Sequence, residues 1–108
     1  MDEEFFKKLL FVGQDNDDIE EFISLGYFIK SNDTVFRTNK YEEEIVRFID
    51  SKKERLYQAI KGLGSAQDIK KVMELAGIKE FITFSVVAEE LVREGKLVKD
   101  KEKICIIK

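Results

Sequence analysis

Histidine, proline and tryptophan are absent from this chain of 108 residues, and cysteine occurs once. Without histidine, the commonest general base and the commonest ligand of transition metals are both missing. One cysteine can neither close an internal disulfide nor furnish a thiolate zinc site, which agrees with a reducing compartment. No run approaches the roughly 18 apolar residues that span a bilayer. The Met-Asp-Glu-Glu start is acidic where a secretory signal would be basic, so the expected location is the cytoplasm, without membrane attachment.

What remains is the composition of a soluble globular protein, 44% apolar and 38% charged. Its length suits one domain with a single core. Richness in Lys and Glu leans towards a thermophile, although the lack of proline runs against that. Charge is unevenly spread. Residues 1–50 carry thirteen acidic against six basic residues, a net of −7, and residues 51–108 carry nine against thirteen, a net of +4.

The strongest local signals lie between Ser65 and Lys108. Ser65-Ala-Gln-Asp68 has the form of a capping box with Asp68 in the reciprocal place. Ile69, Val72, Met73, Leu75 and Ala76 then recur at helical spacing until Gly77, which predicts a helix over 66–76. Phe84, Val87, Ala88, Leu91 and Val92 predict a second over 83–94, closed by Gly95. Lys96–Lys99 and Ile104–Ile107 read as strands joined by a turn.

The N-terminal part begins with Phe5, Phe6, Leu9, Leu10 and Val12 at helical spacing. This is more apolar surface than a short terminal helix obviously needs, and it predicts a two-fold homodimer interface. A short helix with Ile19, Phe22, Ile23 and Leu25 stops at Gly26. Tyr27–Lys30 and Thr34–Arg37 flank Ser31-Asn-Asp33 as a hairpin. Offset by 69 residues without a gap, Ile19–Gly26 lies on Ala88–Gly95, Tyr27–Lys30 on Lys96–Lys99, and Val35-Phe36 on Ile104-Cys105. Either any helix entering a hairpin requires this pattern, or residues 1–40 hold an abbreviated second unit.

Residues 41–63 form the longest helical pattern, apolar at Ile45, Val46, Phe48 and Ile49 and again at Leu56, Ala59, Ile60 and Leu63. Asp50–Arg55 between them has no apolar residue. Two helices could meet there, but neither Gly nor Pro interrupts the stretch before Gly62, so one continuous helix is expected.

Catalytic chemistry finds little support. Gly62-Leu-Gly-Ser65 lacks the third glycine and the Lys-Ser/Thr pair of a phosphate loop, and it follows a helix instead of a strand. Adjacent acids at Asp17-Asp18, Glu20-Glu21, Glu42–Glu44 and Glu89-Glu90 diverge by roughly 100° on a helix and read as solvated faces. Cys105 lies in an apolar strand, where cysteine behaves as a small hydrophobe. Neither an enzyme nor a cofactor or metal site is expected.

Thr83-Phe-Ser-Val-Val-Ala-Glu-Glu-Leu-Val-Arg-Glu-Gly-Lys-Leu-Val98 resembles the third helix and first wing strand of winged helix-turn-helix regulators of archaea and bacteria. The resemblance covers roughly residues 53–108. It implies a mainly α fold with small β-hairpins (α+β), in which residues 41–108 form the winged-helix domain and residues 1–40 a helix-helix-hairpin extension. It also implies a regulator of transcription binding double-stranded DNA, with Thr83 and Ser85 on the face offered to the groove; positive charge gathers at Lys96, Lys99, Lys101 and Lys103 on the wing and at Lys79 before it, where phosphates are expected to be held. The third helix departs from the pattern: Val86, Glu89 and Glu90 stand where DNA readers place Arg, Lys, Asn or Gln. The alternative is therefore a protein-interaction module of a larger complex that docks through the Val86 side, with Phe5, Phe6, Leu9 and Leu10 as a further partner surface.

Overall fold

The structure, a computed structural model, describes residues 1–12, 19–100 and 103–106. Among these residues the chain is mainly helical, with five helices and two two-stranded antiparallel sheets. The chain divides into two compact units, Met1–Phe48 and Ile49–Lys108.

In the first unit, α1 (Glu3–Leu10) is capped by Asp2, whose carboxylate accepts from the Phe5 amide at 2.8 Å. Glu3 and Glu4 in its first turn and Lys7 and Lys8 in its last complement the helix dipole. The apolar stripe of α1 is spent inside this unit. Phe6 and Leu9 are fully buried, and Phe6 stacks on Phe48 with centroids 4.4 Å apart. Phe5 meets Phe22 edge-on at 5.4 Å and lies beside Tyr27. The expectation that Phe5, Phe6, Leu9 and Leu10 form a partner surface is thus corrected: two are core, and Phe5 and Leu10 are half-buried.

The helix α2 (Ile19–Ser24) leads through Gly26, at a φ of 89°, into β1 (Phe28–Ser31) and β2 (Thr34–Arg37). Ile29 pairs with Phe36 and Ser31 with Thr34. The two-residue turn is entered through Asn32 at a φ of 57°, a left-handed conformation that asparagine tolerates better than most side chains. Thr38 donates through its hydroxyl to the Gly26 carbonyl at 2.6 Å, and the Tyr27 hydroxyl donates to Glu44.

The long pattern is one continuous helix, α3 (Asn39–Leu63), of 25 residues. Tyr41, Ile45 and Phe48 are buried near its start and Leu56, Ala59 and Ile60 near its end. In the second unit the polar gap has its own use. Lys53 reaches Asp50 at 2.8 Å and Glu94 at 2.7 Å, and Arg55 lays its guanidinium against Gly77. A β-carbon built on Gly77 would come within 2.9 Å of that guanidinium.

The helix α4 (Ile69–Ala76) starts later than the expected capping box implies. Asp68 is itself the N-cap and accepts from the Lys71 amide at 3.2 Å, while the Ser65 hydroxyl accepts from the Gln67 amide at 3.4 Å. Ile78 donates back to the Met73 carbonyl across Gly77, closing the helix with a left-handed residue. The last helix, α5 (Phe81–Arg93), begins two residues before the expected position and buries Phe84, Val87, Ala88 and Leu91. Strands β3 (Leu97–Asp100) and β4 (Lys103–Ile106) follow, with Val98 opposite Cys105.

The 69-residue offset holds in the backbone. Gly26 and Gly95 share the left-handed conformation. The amides of Leu25, Gly26 and Tyr27 bond to Glu21, Ile23 and Phe22, and those of Glu94, Gly95 and Lys96 bond to Glu90, Val92 and Leu91. Strands β1 and β2 begin and end at positions that fall on those of β3 and β4. Among the described residues, helix exit, glycine turn and strand pairing are repeated at this offset.

Candidate interaction surface on α5 and the second hairpin

One side of α5 is spent on the core. Thr83, Val87 and Leu91 are spaced by four and Phe84 and Ala88 sit beside them, and all five are buried. What α5 offers outward is therefore Phe81, Ile82, Ser85, Val86, Glu89 and Arg93. Phe81 is 58% exposed although its ring lies 5.9 Å from that of Phe84. Ile82, Ser85 and Val86 are half-buried, and Glu89 and Arg93 are exposed. The start of this outer face is apolar and its far end is charged.

That charge is internally balanced. Lys99, on β3, forms an ion pair with Glu89, and Arg93 bonds Glu90 at 2.9 Å. At the base of the helix Glu94 holds Lys53, whose ammonium, bonded to Asp50 and Glu94, is pushed up to about 12. A cation that already faces a carboxylate at hydrogen-bonding range has less to gain from a phosphate, so Lys99 is a weaker anion ligand than its place on the hairpin implies.

The residues expected at DNA are only partly brought together. Lys96 and Lys99 lie on the hairpin and Lys79 in the turn before α5, all three exposed. Ser85 is half-buried. Lys103 belongs to β4, and Lys101 lies outside the described residues. Thr83 is corrected: it is fully buried, and its hydroxyl has no hydrogen-bond partner among the described residues. It faces the core and no surface. Its spacing to Val87 and Leu91 already carried that signal.

Phe81 was missed because it precedes the expected helix start. The pairing of Glu89 with Lys99 requires the helix-to-hairpin register, which no local pattern supplies. Among the described residues no group of three His, Cys, Asp or Glu side chains could hold a metal ion, and no helix is long and apolar enough to cross a membrane. A shallow depression lies where α3 meets α4, lined by Leu63, Ser65, Asp68, Ile69 and Lys70.

Compared with family models, curated proteins and solved structures, the chain finds no match.

Proposed function

We propose that this chain is a protein-interaction module of winged helix-turn-helix type, docking onto a protein partner through the first turns of α5. The observation that carries this reading is the exposed Phe81, flanked by Ile82 and Val86, at the end of the helix that a groove reader would fill with polar and basic side chains. An aromatic anchor beside half-buried aliphatic groups is the composition of an interface centre. Glu89 and Glu90 further along the same helix would face phosphates with like charge.

A second reading, binding of double-stranded DNA by a transcriptional regulator, is favoured by exposed Lys70, Lys71 and Lys96 and by the net of +4 over residues 51–108. Such contacts would hold the phosphate backbone with little base readout. The two readings separate in one pair of experiments. Titration of a labelled duplex at low and moderate salt should show no binding under the first, whereas binding that weakens with salt, its slope flattening by about one for each lysine removed, supports the second. Affinity capture from the source cells should then recover a stoichiometric protein that Phe81→Asp and Val86→Asp lose and Lys96→Ala retains. Retention of that protein by Phe81→Asp would refute docking through α5.

A further inference from the structure

The outer edge of β2 is open along its whole length. Among the described residues its sheet holds β1 and β2 alone, and all four residues of β2 are exposed. The register says which backbone groups lie at that edge. Thr38 donates to the Tyr27 carbonyl at 3.1 Å, and Phe28 pairs with Arg37 one step further along. Bonded and non-bonded pairs alternate in an antiparallel ladder. Phe28 with Arg37 and Lys30 with Val35 are therefore non-bonded pairs, so the N–H and C=O groups of Val35 and Arg37 point away from β1.

Such an edge is a template for another strand, and proteins ordinarily blunt it with charge, proline or a bulge. Thr34-Val-Phe-Arg37 has one charge, at its end, and no proline, and its register is unbroken. On one face of the sheet Ile29 stands opposite Phe36, an apolar pair 57% and 54% exposed. Val35 and Arg37 alternate onto the other face. Charge limits what can pair there. Residues 28–37 carry Lys30 and Arg37 against Asp33, a net of +1, whereas Met1–Phe48 carries twelve acidic against six basic residues, a net of −6. A second copy pairing β2 to β2 would oppose two acidic units, and a nucleic acid would bring a polyanion to one. A short segment with a few placed carboxylates gains from Arg37 and meets far less repulsion.

We infer that the β2 edge takes an extended segment of a protein partner as a third strand, its apolar residues alternating with Asp or Glu. The backbone of that segment bonds Val35 and Arg37, its apolar side chains cover Phe36, and its carboxylates lie on the face of Arg37. This edge belongs to the first unit, so it stands or falls independently of docking through α5.

Selection on the full chain from a phage library of random twelve-residue peptides tests it. Enriched sequences should alternate apolar and acidic residues. A synthetic peptide of the enriched sequence should bind the parent chain, and Phe36→Ala should weaken it at least about tenfold, as loss of a central anchor does. Arg37→Glu should weaken it too, and replacing the peptide's carboxylates by Lys should restore binding to that variant. Both positions are exposed, and an unchanged circular dichroism spectrum confirms that the variants fold. Methylating alternate peptide amides probes the backbone with the protein unaltered: one set should abolish binding and the other should leave it. A library that enriches no sequence overturns the inference. So do enriched peptides without acidic residues, or binding that survives methylation of either set. Enrichment confined to peptides that Phe81→Asp loses and Phe36→Ala retains also overturns it, while leaving docking through α5 in place.

Discussion

Replacing Thr83 by valine should stabilise this protein. Thr83 is entirely buried on α5 and its hydroxyl has no partner among the described residues. Burying a hydroxyl without a hydrogen bond costs about 1–3 kcal/mol. Valine keeps the branched shape and nearly the same volume, and the helix propensities of the two residues are close. Thr83→Val removes the unsatisfied group without opening a cavity, so the expected gain is about 1–2 kcal/mol. For a chain of this size each kcal/mol raises Tm by about 4–8 °C. Thermal and urea unfolding followed by circular dichroism measure it, with Thr83→Ala as the control. That control loses the packed methyl as well as the hydroxyl and leaves a small void, so it should fall below Thr83→Val. A Thr83→Val protein less stable than the parent, with Thr83→Ser unchanged, would mean that the hydroxyl has a partner after all, and the reasoning would fail. The same variant bears on the DNA reading, since a buried residue should leave duplex affinity untouched.

Phe6→Ala should destabilise the protein by about 3–5 kcal/mol, because a fully buried ring stacked on Phe48 is replaced by a cavity; urea titration with an unchanged m-value would show it, and a loss near zero would return α1 to the surface. Alkaline pH should also weaken the fold. Burial, reinforced by its hydrogen bond to Glu44, pushes the Tyr27 hydroxyl from 10.0 up to about 12, and Asp50 and Glu94 push Lys53 from 10.5 up to about 12. Both groups hold their protons more tightly folded than unfolded. Their contribution is therefore complete below pH 10 and is lost as pH climbs towards 12. Urea midpoints measured across that window should decline, and Lys53→Met should flatten part of the decline; a flat profile in the parent chain would contradict the linkage.

Much of the fold was legible because it is written in local chemistry. Glycines at 26, 77 and 95 end helices where only a left-handed residue closes the last turn, and with no Gly or Pro between Asn39 and Lys61 one helix is the simplest solution. The misreadings share a cause. Periodicity shows that Phe6 and Leu9 are on one face, but the partner of Phe6 is Phe48, forty-two positions away, and only the tertiary fold decides whether such a face meets its own chain or another. Asp68 read as the third residue of a helix begun at Ser65, since Ser, Asp and Thr all compete for caps and the sequence does not rank them. The resemblance to winged-helix regulators sets Thr83 at the nucleic acid, although its spacing to Val87 and Leu91 puts it in the core, and Phe81 precedes the helix that the apolar spacing predicts.

The unbroken α3 has a mechanical consequence. At 1.5 Å per residue it is about 37 Å long. Each amide bonds only to the carbonyl four residues before it, so the costly nucleating turn is needed once for all 25 residues, and beyond it the helix depends on local packing. Loss of Phe48 or Tyr41 packing should then be felt first as faster amide exchange in the turns of α3 around those two residues, where the helix loses its tertiary support.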